Sequence, residues 1–258
     1  MATLSLANPF DFEGQVVLMT GASGGLGAPI ARAFAAGGAR LALADVAAES
    51  AEELARQVRD EGASALTMRV DVRDSDQVDR MVERTLAEYS RIDVLVNLAG
   101  AIYRIPSLEH PLDKWKLQMD VNVMGTWLCC RAVGRVMVDQ GRGRIVNFAS
   151  GAGFHGFPGY PAYTPSKHAV VGLTKVLAIE WSGKGVNVNA IAPGFTDTPF
   201  NQDVLDDPAK LDGVLRRVPM GQVLPPDCTV GPTLFLASPA SRWITGFTIR
   251  VDGGFNAT

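Results

Sequence analysis

Seven short apolar runs recur along the chain, each separated from the next by a longer stretch with helical spacing, and this alternation leaves few folds open. The runs are VVLM (16–19), RLALAD (40–45), ALTMRVD (65–71), IDVLVN (92–97), GRIVNFAS (143–150), VNVNAIAP (186–193) and FTIRVD (247–252). They are bounded by Gly, Asp or Asn, as strands buried on both faces are. Between them, apolar residues fall at helical spacing over about 26–36, 47–61, 75–89, 112–140, 161–183 and 227–237. Strands joined through ten or more helical residues form right-handed crossovers. The pattern therefore predicts an α/β fold, a single-domain doubly wound parallel sheet of Rossmann type with helices on both faces.

No repeat, low-complexity tract or linker interrupts this series, so residues 13–258 read as one domain, preceded by an N-terminal arm at 1–12. With 258 residues and 47% hydrophobic composition, the chain can bury a large core without staples. A net charge of −3 gives no basic footprint for nucleic acid, and no stretch approaches 18 uninterrupted apolar residues. Neither nucleic acid nor membrane is expected as a partner. Cys129, Cys130 and Cys228 are odd in number, and the adjacent pair has neither metal-site nor framework spacing. No metal is expected, and a reducing cytoplasm suits three free thiols. The N-terminus shows no positive region followed by an apolar one, so no secretory signal is read there.

TGASGGLG (20–27) follows the first predicted strand and opens the first helix. Gly21, Gly24, Gly25 and Gly27, with Ser23 and Leu26 among them, let backbone amides approach a pyrophosphate at a positive helix N-terminus. The alternative is a tight turn with no ligand. The second strand ends in Asp45, where a carboxylate can accept both hydroxyls of an adenosine ribose and would repel the 2′-phosphate of NADP. With Gly24 and Val46 at the neighbouring positions, no compensating cation is near in sequence, so NAD is expected over NADP. Asp45 could instead cap the next helix.

YTPSK (163–167) places a phenol and an ammonium four residues apart around a proline. Proline is tolerated in a first helical turn, so the pentapeptide reads as a helix start with Tyr163 and Lys167 on one face. Oxidising a secondary alcohol requires a base for the hydroxyl proton as hydride leaves the carbon. A phenol becomes that base at neutral pH only if its pKa falls by roughly 3 units, about 4 kcal/mol. An ammonium about 4–5 Å away would supply roughly 3–4 kcal/mol. Ser150, at the end of the fifth strand, would position the substrate oxygen. No GxSxG surrounds it, and His110, His155 and His168 form no triad pattern, which argues against a serine hydrolase.

Together the glycine loop, Asp45, Ser150 and the YxxxK motif resemble the short-chain dehydrogenase/reductase family in its roughly 250-residue form, over nearly the whole chain from Phe12 to Gly254. Asp71-Val72, NLAG (97–100), Asn122, Pro193-Gly194 and ITGFTIRVDGG (244–254) follow in the family's order. The resemblance implies a catalytic tetrad of Asn122, Ser150, Tyr163 and Lys167, with the Asn122 carbonyl anchoring a water relay and Lys167 also holding the nicotinamide ribose. It implies adenine contacts from Asp71 and Val72, and ribose contacts near Asn97, Ala99 and Gly100, with Leu98 in place of the family's second asparagine. Pro193, Gly194, Phe195, Thr196 and Thr198 would pass along the nicotinamide.

Ordinary structural roles remain open for three of these: Ser150 as a cap, Asn122 as a helix-interior residue bonded to backbone, Thr198 as an N-cap. Substrate contacts are expected from Ser150, Gly151, His155, Tyr160 and Tyr163, with Phe154 and Phe157 beside them and Ile102, Tyr103 and Arg104 on the opposite rim. The polar, proline-punctuated segment 198–219 reads as a lid. It resembles the gluconate and deoxygluconate branch, which implies a sugar acid, sugar or polyol as the small-molecule alcohol or ketone. Arg216 or Arg217 could pair with a carboxylate. The competing substrates are 3-oxoacyl thioesters and hydroxysteroid or aryl ketones. Different classes of function would be a nucleotide-sensing module, which would not need the tetrad, and a methyltransferase, in which YxxxK has no task. The family also implies a homotetramer built on the helices at 112–140 and 161–183, for which Trp115, Trp127 and Trp181 are outward candidates, equally compatible with core.

Overall fold

A computed structural model describes residues 10–257 of the chain; the first nine residues of the expected arm lie outside the described residues. The strands β1 (Val16–Thr20), β2 (Arg40–Asp45), β3 (Ala65–Arg69), β4 (Val94–Asn97), β5 (Gly143–Phe148), β6 (Val186–Pro193) and β7 (Thr248–Val251) pair in parallel. Their order is β3-β2-β1-β4-β5-β6-β7. The chain reverses its direction of winding between β1 and β4, so the loops after those strands diverge and open a crevice at their carboxyl ends.

Helices α1 (Gly27–Ala36), α2 (Ala48–Asp60), α3 (Ser75–Tyr89), α4 (Leu112–Met119), α5 (Thr126–Gln140), α6 (Tyr163–Trp181), α7 (Gln202–Leu205), α8 (Pro208–Leu215) and α9 (Val230–Ala237) fill the connections. One core layer packs Ile30 and Phe34 of α1, Leu54 of α2 and Leu236 of α9 against Val17, Met19 and Leu43. The opposite layer packs Met81 of α3, Val133 of α5 and Leu177 of α6 against Leu18, Leu95 and Val188. All five β1 residues are buried, as its unbroken apolar run requires.

Phe12 is a correction to the expected boundary of the arm. It is 0% exposed, meets Phe34 edge-on at 4.8 Å and holds its own backbone to Gly37. Burying such a ring contributes about 1.5–3 kcal/mol, so the domain begins before it.

A further correction concerns the helix expected across 112–140. Between α4 and α5 the backbone widens into a π-helical turn at Asp120–Gly125. Such bulges are frequent at functional sites, and this one carries the buried Asn122. The expected lid holds a 3₁₀ turn at Pro199–Asn201, then α7 and α8, with Asp207 capping α8.

Candidate active site

The register of the central strands sets Thr20 beside Asn97 and Asn97 beside Asn147. Buried side chains at these positions must satisfy one another. Asn97 Nδ2 donates to Asn147 Oδ1 at 2.9 Å, and Asn147 Nδ2 donates to Thr174 Oγ1 at 3.0 Å. The Asn97 side chain therefore ties neighbouring strands together; the residue is 4% exposed and absent from the cavity wall. The following residues, Leu98, Ala99 and Gly100, do line the cavity.

That cavity, about 600 Å³, runs from the glycine loop to a mouth under α7 and α8. At one end lie Gly21, Gly24, Gly25, Leu26, Gly27, Asp45, Asp71 and Val72; at the other lie Ser150, Gly151, Tyr160, Tyr163 and Lys167. Pro193, Gly194, Phe195, Thr196 and Thr198 form the wall between them.

The loop end fits a dinucleotide. Gly21 has φ +63°, and a Cβ there would sit 2.6 Å from Ala99 N, so only glycine lets the two diverging loops meet. Helix α1 starts at Gly27 with no acidic residue in its first turn and no side-chain cap, so its positive end suits an anion. Ser23 is outside the wall, but its N–H and Oγ donate to Asp45 Oδ2 at 3.0 and 2.7 Å. Asp45 Oδ1 accepts from Ala47 N, which turns the chain ahead of α2, whose cap residue is Ala47 itself. The carboxylate is thus fixed at the end of β2. Arg73, a cation that sequence reasoning did not bring here, also lines this end and is paired with Asp71 at 2.5 Å.

At the other end, α6 opens at Tyr163, as the first-turn proline predicted. Ser150 Oγ accepts from Ala152 N, capping a short 3₁₀ turn, and also interacts with the Tyr163 hydroxyl. Ser150 therefore both caps the turn and faces the phenol. Lys167 Nζ lies 5.6 Å from the Tyr163 ring centre and donates to Phe148 O at 2.8 Å.

Burial opposes the expected acidification of Tyr163 by Lys167. Burial pushes the phenol up to about 12, with the Ser150 hydrogen bond pulling the other way. Burial also pulls the Lys167 ammonium down to about 8. Both groups lose hydration, and one of the three Lys167 donors is directed at the Phe148 carbonyl.

Asn122 is 0% exposed and lies outside the cavity wall. Its Oδ1 accepts from Ala101 N at 2.8 Å, and its Nδ2 donates to Ala101 O and Ser166 Oγ at 3.0 and 2.9 Å. It fastens the loop after β4 to α6, one residue from Lys167. Its carbonyl, the expected water anchor, accepts from Thr126 Oγ1 at 2.8 Å.

His155 is likewise outside the wall, with its ring against Phe255 at 6.3 Å. Tyr103 is turned away too, under Lys114, while Ile102 and Arg104 line the cavity. Thr198 is 5% exposed and makes no cap hydrogen bond. Phe200 and Phe255 were missed from sequence. Both line the mouth, and Phe200 meets Tyr163 at 6.0 Å. Neither stands in a motif; only the folding of distant segments together brings them here.

A family model described as Enoyl-(Acyl carrier protein) reductase matches residues 21–256. The chain is 40% identical to D-threitol dehydrogenase from Mycolicibacterium smegmatis, over 98% of this chain and 96% of that protein. It is 38% identical to 3-oxoacyl-[acyl-carrier-protein] reductase from Synechocystis, over 93% and 96% respectively. The crystal structure of a gluconate 5-dehydrogenase from Burkholderia cenocepacia in complex with NADP and tartrate superimposes with a TM-score of 0.95 at 35% identity, covering 98% of this chain and 100% of that one. A parallel sheet wound this way, a glycine crevice joined to Ser150, Tyr163 and Lys167, and these full-length likenesses agree: the chain belongs to the short-chain dehydrogenase/reductase family and is an NAD(P)-dependent oxidoreductase.

Proposed function

We propose that the chain interconverts a secondary alcohol and a ketone on a sugar acid, sugar or polyol, with NAD preferred over NADP. The observation that carries this reading is the single cavity that has the glycine loop and Asp45 at one end and Ser150, Tyr163 and Lys167 at the other. In the oxidising direction Tyr163 takes the hydroxyl proton, and Ser150 donates to the same oxygen as it becomes a carbonyl. A bound oxidised nicotinamide supplies the hydride acceptor and a positive charge that lowers the phenol's pKa. Lys167, still largely an ammonium at pH 7, adds its own charge, and its remaining donors would hold the nicotinamide ribose. Asn122 positions the wall through Ala101.

Preference for NAD is supported by the fixed Asp45 carboxylate and by Arg73, whose charge Asp71 already neutralises. The polyol and sugar-acid substrates are supported by the threitol and gluconate dehydrogenase relatives. A second reading, reduction of 3-oxoacyl thioesters, draws on the Synechocystis relative and on the aromatic mouth at Phe157, Phe200 and Phe255. The reading extends to a homotetramer and a cytoplasmic location. Support comes from Trp115 and Trp127, each 38% exposed, and from the free thiols Cys129, Cys130 and Cys228. Among the described residues no helix is long and apolar enough to cross a membrane.

The test is nicotinamide absorbance against threitol, gluconate, other polyols, 3-oxoacyl thioesters and hydroxysteroids, with each dinucleotide. Turnover is expected with a polyol or sugar acid, with kcat/KM for NAD about tenfold or more above that for NADP. Tyr163→Phe should reduce turnover by about 10³-fold or more while NAD affinity changes by less than about threefold. Turnover retained in that variant rules out the tyrosine's assigned role.

A further inference from the structure

Four cations line the cavity, and three of them are already engaged. Arg73 is paired with Asp71, and Lys167 donates to Phe148 O. Arg104 is spent on Asp203 Oδ1 and Asn201 Oδ1, each at 2.6 Å, and on the Tyr160 hydroxyl at 2.7 Å. The fourth, Arg217, makes no ion pair among the described residues, although its neighbour Arg216 pairs with Asp212 at 2.7 Å. Arg217 instead lies over two aromatic faces, 4.4 Å from the Phe255 ring centre and 5.3 Å from that of Phe157. A guanidinium held by its flat face keeps its in-plane N–H donors free for a second partner. The acids of the cavity wall, Asp45 and Asp71, are both at the far, glycine-loop end.

The position of Arg217 is built. Val218 is 5% exposed, and its Cγ1 would lie 2.8 Å from a Cβ on Gly253, which has φ +62°. Met220 N donates to Gly253 O, and Asp252 folds the tail back by accepting from Gly254 N and Asn256 N. The segment after α8 and the tail that carries Phe255 are thereby docked on each other.

We propose that Arg217 is the residue that receives the anionic end of the substrate, which makes the enzyme selective for carboxylate-bearing polyols. This rests on the sugar-acid reading of the site. Ring contacts link Arg217 to Tyr163 through Phe157 and Tyr160, at 5.3, 5.5 and 5.9 Å, so the cation and the phenol belong to one aromatic-walled mouth.

The test is calorimetric titration of the protein saturated with oxidised dinucleotide, using D-gluconate and the neutral six-carbon polyol D-glucitol. Wild type should bind gluconate about tenfold tighter than glucitol, a modest factor because Arg217 is exposed at the mouth. Arg217→Gln should remove that difference, Arg217→Lys should keep part of it, and Arg216→Gln should keep all of it. Equal wild-type affinities, no binding of gluconate, or equal weakening of both ligands in Arg217→Gln would each overturn the proposal. Gluconate bound through Arg217 but never oxidised leaves the proposal standing and sinks the sugar-acid substrate instead.

Discussion

At residue scale, the catalytic helix was the most legible part of the chain, because a proline in a first turn and an i, i+4 pair are local facts. Its electrostatics were not legible. The balance at Tyr163 and Lys167 depends on burial by segments far away in sequence, and burial dominates both groups. Lys167 offers a direct check. Its folded pKa, about 8, is below that of an exposed lysine, so the folded state binds fewer protons than the unfolded state between those values. Stability should then rise with pH from about 8 toward 10, by at most about 1.4 kcal/mol per unit, and be lost again as pH falls through 8. Urea midpoints at pH 7.5 and 9.5 should show this gain in wild type and not in Lys167→Met. Equal pH dependence in the two proteins would remove the buried-ammonium account. The tie from Asn97 to Asn147 was hidden for a related reason: a side chain that points across the sheet and one that points into the crevice look alike in sequence.

At the scale of elements, strands and most helices were readable because apolar periodicity is set within each segment. The π-helical turn was not, since it accompanies contacts of Asn122 with Ala101 and Ser166, which are distant in sequence. The lid was visible as polar sequence, but the element that fastens it was not. Arg104 joins the loop after β4 to the lid through Phe200 O, Asn201 and Asp203. Arg104→Ala should raise substrate KM about tenfold, leave NAD binding within about twofold, and speed proteolytic cutting within 202–216. Unchanged cutting would mean that the lid is held by other contacts.

For the whole molecule, the α4–α5 side carries Leu112 at 65%, Met124 at 47%, and Trp115 and Trp127 at 38% exposure, more apolar surface than an isolated protein needs. Trp181, for which both an outward and a core position were open, packs against the core. Four copies of a 27.5 kDa chain should scatter light as a species of about 110 kDa, and a stable 27.5 kDa particle would refute the tetramer. The final turn of the fold, where Phe255 closes the mouth against Arg217, has a practical corollary. Bulk attached just behind Ala257 would crowd the doorway through which small molecules pass. Purified protein carrying it would bind dinucleotide normally and still be mistaken for an inert enzyme.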